Sequence, residues 1–115
     1  MTNFIDRRAH ERVQYTGTER PRLTVAGASF DVLDCSERGL LLVRSGDALG
    51  EKGLDVQGRL RFPTGVEVPV EGVVLRAQED AVAIQFTGLW IPRDVILAEL
   101  RRLGQGLTQR AKGDG

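Results

Sequence analysis

A chain of 115 residues, 41% hydrophobic and 28% charged, suits one soluble globular domain that can bury a core without disulfides or a metal. Sixteen Lys and Arg against sixteen Asp and Glu leave no formal net charge, which argues against a long polyanion as the main partner. Cys35 is the single cysteine, no apolar run reaches membrane-spanning length, and Met1 to Asp6 lack a signal-peptide pattern, so a reducing, cytoplasmic setting is expected.

Near the N-terminus stands Arg7-Arg8-Ala9-His10-Glu11-Arg12, three guanidiniums in the pattern R-R-x-x-x-R. Arg8 and Arg12 share a side whether the segment is extended or helical. A solvated, ion-pairing stretch with Asp6 and Glu11 explains the same residues. Short alternating stretches then predict strands: Leu23 and Val25 around Thr24, and Phe30 and Val32 around Asp31, with Gly27 as the turn between. The second leads into Asp34-Cys35-Ser36-Glu37-Arg38-Gly39, the pattern D-x-S-x-x-G, with the Cys35 thiol expected to face the core. Leu40 to Val43 is a continuous apolar run, the mark of a strand covered on both faces. After a Gly-punctuated loop, Val56, Leu60 and Phe62 share one parity and Gln57, Arg59 and Arg61 the other. Val66, Val68 and Val70 open a strand that runs to Arg76, in which Pro69 marks an edge or a bulge. Val82, Ile84 and Phe86 complete a hairpin with it.

The period changes after Trp90, itself expected in the core or bordering a pocket. Pro92 and Asp94 suit a helix start, Ile96, Leu97, Leu100 and Leu103 form one face, and Glu99, Arg101 and Arg102 the other. Gly104 is the expected stop. These elements predict an all-β domain, a six-stranded antiparallel barrel with a C-terminal α-helix. The expected boundaries are a flexible arginine arm over 1–12, the barrel and helix over 13–103, and a flexible tail over 104–115.

Guanidiniums suit phosphates and the acceptor edge of guanine, by bidentate pairing or stacking. A carboxylate accepts from guanine N1–H and N2–H, a hydroxyl can serve phosphate or amine, and glycine allows an unusual backbone conformation or clearance for a ligand. D-x-S-x-x-G is also a common turn, held by side-chain contacts to the backbone. His10 has no second histidine or cysteine pair with which to complete a metal set.

The two motifs, their order and interval, and the strand plan from about Arg7 to Leu103 resemble the PilZ family of cyclic di-GMP receptors. The resemblance implies a bacterial cytoplasmic receptor and no enzyme, with no catalytic residues, metal or cofactor. It implies ligand contacts from Arg7, Arg8, Arg12, Asp34, Ser36 and Gly39. Arg7, ahead of R-x-x-x-R, implies two intercalated cyclic di-GMP molecules per chain. Asp6 stands where the family often has Glu. Ligand would order the arm and alter a surface read by an unidentified downstream protein, the chain being a monomer or weak homodimer that neither binds nucleic acid nor enters a membrane. The alternative is a PilZ-like adaptor, for instance in pilus or motility machinery, that does not bind the nucleotide. A barrel for single-stranded nucleic acid is disfavoured by 5% aromatics and zero net charge. No nucleophile–base pair, P-loop or dinucleotide fingerprint supports an enzyme.

Overall fold

The computed structural model describes residues 12–44 and 46–105. Arg7, Arg8, His10 and the remainder of the arm before Arg12 lie outside the described residues, as do Ser45 and positions 106–115 of the tail. The elements are β1 (Val13–Gln14), β2 (Arg22–Val25), β3 (Ala28–Cys35), β4 (Gly39–Val43), β5 (Asp55–Arg61), β6 (Glu67–Ala77), β7 (Ala81–Phe86) and α1 (Arg93–Leu103). All pairings are antiparallel. The order β3-β2-β5-β6-β7-β4 closes where β4 returns to β3, giving a six-stranded barrel with one helix after it. Closure leaves no long unpaired edge within the ring.

The period-two pattern explains most of the interior. Leu23 from β2, Phe30 and Val32 from β3, Leu42 from β4, Val56 and Leu60 from β5, Val70 and Val74 from β6, and Val82 and Ile84 from β7 meet in one core. Arg59 and Arg61 point outward from the same strand as Leu60. Pro69 pairs with Arg59 on β5, while β7 joins β6 only from Gly72 onward, so the proline lies where β6 is an edge.

Besides Gln105, described below, four features depart from the sequence expectation. The two-residue β1 is an additional strand, laid in line with β2 along the same edge of β3. β4 buries Leu40 and Leu42 but leaves Leu41 and Val43 half-buried, so only one face is fully covered. Trp90 is 61% exposed, because the following Ile91 fills the core position at the strand–helix junction. Glu99 is buried instead of joining the solvated helix face.

Glu99 is buried because it is satisfied. Tyr15 Oη donates to Glu99 Oε1 at 2.6 Å, and Arg102 reaches the same carboxylate with Nε and Nη2 at 2.8 and 3.0 Å. A buried carboxylate held this way is tolerated where an unpaired one would not be. Ile96 and Leu100 bury beside it and fix α1 against the barrel. The helix stops at Gly104 in the left-handed conformation (φ 68°), whose N–H caps Arg101 O and Leu100 O. Gln105, assigned from sequence to the free tail, is pinned: Gln14 N–H donates to its Oε1 at 2.9 Å, and its Nε2 donates to Gln14 O at 2.7 Å.

Tyr15→Phe removes one hydrogen bond from a buried carboxylate without changing ring packing. It is expected to lower the unfolding free energy by roughly 1.5–3 kcal/mol, measured by urea titration.

Candidate functional site

The site begins with one extra residue. In the β3–β4 ladder Val32 pairs with Leu42 and Asp34 with Leu41, so Leu33 is a bulge. Before it, Phe30 and Val32 of even parity face the core; after it, Cys35 of odd parity does. Uninterrupted alternation would bury Asp34. The bulge turns that carboxylate outward and leaves its side chain 17% exposed, a recognised use of a bulge beside a binding surface.

β1 then delivers the arginine. Val13 pairs with Cys35 and Gln14 with Asp34, and Tyr15 N–H donates to Leu33 O at 2.9 Å. This register sets Arg12 over the Asp34 carboxylate, with Nη1 2.5 Å from Oδ1. Burial raises the Asp34 carboxyl above its ordinary value, and the Arg12 guanidinium offsets part of that rise. Cys35 faces inward, where burial pushes its thiol up to about 12; it packs as a small apolar residue.

The remaining motif residues shape the turn into β4. Ser36 is 2% exposed; its N–H donates to Gly39 O at 2.9 Å, and its Oγ accepts from Arg38 N–H at 3.1 Å. Gly39 has no left-handed φ, so backbone conformation does not require glycine there. A Cβ at that position would stand 2.1 Å from Ile84 O, so glycine is needed where β4 lies closest to β7. The three motif positions thus divide their work: Asp34 faces out, Ser36 holds the turn, and Gly39 admits the neighbouring strand.

Together these elements border a surface groove of about 370 Å³ that crosses four strands, from β3 over β4 and β7 to β6. Arg12, Asp34 and Arg38 form its near side. Leu41 and Ala83, directly paired across β4 and β7, lie along its floor. A second bulge forms the far side: Val74 pairs with Ile84 and Arg76 with Ala83, leaving Leu75 as the extra residue, 43% exposed. Gln85 lies opposite Gly39. The guanidiniums of Arg38 and Arg76 have no hydrogen bond or ion pair to any described residue. Three guanidiniums against one carboxylate make the groove a place for an anion, and its apolar floor suits a flat ring. Among the described residues, no group of three or more acidic, His or Cys side chains could hold a metal.

Of the residues singled out from sequence, Arg12, Asp34 and Gly39 line this groove, Ser36 lies buried in its turn, and Arg7 and Arg8 fall outside the described residues. Sequence reading missed Arg38, Leu75, Arg76 and Gln85. A signal existed for one pair: Leu75 and Arg76 follow Val73-Val74 and break the alternation that runs from Val66.

A family profile described as PilZ domain matches residues 6–102. No curated protein matches the chain. Among solved structures, an uncharacterized Legionella protein, Lpg0364, superposes with a TM-score of 0.53 at 16% identity, over 90% of this chain and 95% of its own. The PlzA protein of Borreliella burgdorferi, solved in complex with c-di-GMP, superposes with a TM-score of 0.50 at 18% identity. That match covers 83% of this chain and 43% of PlzA, so the chain corresponds to less than half of that protein. Both likenesses are of fold.

Gly39→Ala is expected to destabilise the chain by about 1–3 kcal/mol, read from chemical denaturation, because the added methyl meets backbone. For Asp34 the raised folded-state value sets the sign. Its contribution to stability is greatest below the unfolded carboxylate value of about 4 and falls as pH rises through the folded value. Asp34→Asn keeps the size and drops the charge, so it should melt at or above the parent temperature at pH 7. The gap should close towards pH 4; a melting series across that range checks it.

Proposed function

This chain belongs to the PilZ domain family, and from that premise we propose that it is a receptor for cyclic di-GMP, which binds in the groove between Arg12–Asp34 and the β6 bulge. The observation that carries the reading is the Asp34 carboxylate, turned out of the barrel by a bulge and set under an arginine from β1. A desolvated carboxylate has a use there as an acceptor for guanine N1–H and N2–H. Arg12 is already held over the groove by Asp34, so part of the ordering needed to meet a phosphate is complete before binding. PlzA, crystallised with this ligand, shares the fold, which supports the choice among cyclic dinucleotides.

In this reading Arg7 and Arg8 join Arg12 on the ligand phosphates and guanine faces. Ser36 contributes through the turn it holds, and Gly39 through the flat approach of β4 to β7. Charge-assisted hydrogen bonds contribute roughly 1.5–3 kcal/mol each, so four or five with stacking reach micromolar affinity after the cost of association. Arg7 supports two ligands per chain. Gathering the arginines onto the groove changes the surface around β1, and that change is the signal to a downstream protein. The exposed Leu89 and Trp90 beside the start of α1 favour one second reading, a protein-contact adaptor that does not bind nucleotide.

Calorimetric titration with cyclic di-GMP decides between them. Saturable micromolar binding is expected, near two ligands per chain, weakening as salt rises. Arg12→Ala and Asp34→Ala should each weaken it at least about tenfold, since each removes a charge-assisted contact. No binding at tens of micromolar ligand would leave the adaptor.

A further inference from the structure

Asp34 and Arg76 stand at opposite sides of the groove, on β3 and β6, with β4 and β7 between. Three strand spacings separate them, about 14 Å along the sheet. They are therefore too far apart to serve the same edge of one base. Between them the outward residues are apolar or small: Leu41 and Ala83 on the floor, and Leu75 pushed out by its bulge. A purine lying face-down on Leu75 and Ala83 would present its edge to Arg76. The near side, by contrast, carries the paired Arg12 and Arg38, whose guanidinium has no partner among the described residues, and is the better place for phosphate.

Resting on the cyclic di-GMP reading above, we propose that Arg76 is a ligand-contacting, specificity-determining residue that grips O6 and N7 of a guanine stacked on the Leu75–Ala83 strip. Arginine matches that pair of acceptors bidentately, and the fork is what distinguishes it from lysine. Arg76 has no protein partner among the described residues to give up, so its full donor set is available. The bulge at Leu75 explains how the residue comes to be there: it exposes Leu75 and Arg76 side by side, platform and reader from adjacent positions.

The test is a cycle between protein and ligand. The full chain, Arg76→Ala and Arg76→Lys are each titrated with cyclic di-GMP and with its 7-deaza analogue, in which the N7 acceptor is replaced by C–H. Melting curves of the variants should match the parent, since the Arg76 side chain is exposed and has no partner among the described residues. The parent protein should prefer cyclic di-GMP over the analogue. Arg76→Ala should bind cyclic di-GMP about tenfold more weakly and lose that preference, and Arg76→Lys should resemble it. An Arg76→Ala protein that binds as tightly as the parent, or that keeps the same preference, overturns the assignment. So does full rescue by lysine, which would mean a phosphate contact. Failure of the parent protein to bind cyclic di-GMP at all is a different result: it overturns the receptor reading, and this assignment with it.

Discussion

The parity change at Leu33 is the constraint on which the site depends. β3 must satisfy the barrel on both sides of that residue, with Val32 inside before it and Cys35 inside after it. Asp34 falls between, and only the extra residue frees it to face out. The same strand carries three pairings, with β2, β4 and β1. An error in β3 register would therefore lose the Arg12–Asp34 pair, the turn at Ser36 and the close approach at Gly39 together.

The helix is tied to this region at three places. Arg93, in the first turn of α1, pairs with Glu37 of the β3–β4 turn at 2.9 Å. Glu99 holds Tyr15, directly after β1, and Gln105, directly after the helix, closes the edge of β1 at Gln14. Surface pairs such as Arg93–Glu37 contribute little alone, whereas the buried Tyr15–Glu99 pair, closed from the solvent side by Arg102, is hydrogen-bonded throughout and strongly specifies one arrangement. β1 is only two residues long and could not persist by its own ladder bonds. It persists because α1 holds it, and that puts the helix one contact away from any event at Arg12.

The groove carries an electrostatic bias that the whole-chain charge conceals. Zero net charge describes the average surface, yet Arg12, Arg38 and Arg76 line one groove that holds a single carboxylate. Small anions respond to local fields within about a Debye length, roughly 8–10 Å at ordinary ionic strength, and not to the total. A neutral chain can thus present a strongly cationic site while giving a polyanion little to follow.

Strand periods, turn glycines and the helical spacing after Trp90 determined the all-β fold, the terminal helix and most of the core, because a two-sided strand writes its buried face directly into alternate residues. The two motifs also singled out Arg12 and Asp34, whose side chains the fold brings into an ion pair. What alternation cannot express is its own interruption: the bulges at Leu33 and Leu75 each add one residue, and which residue is extra depends on the partner strand. Trp90 and Glu99 went the other way for the same reason, since their burial was settled by Ile91 filling the junction and by Tyr15 and Arg102 meeting a carboxylate from distant parts of the chain. Residue types and periods are local and were legible. The pairing of β1 with β3, the outward turn of Asp34 and the placing of Arg76 across from it belong to the closed barrel, because only closure brings those strands side by side.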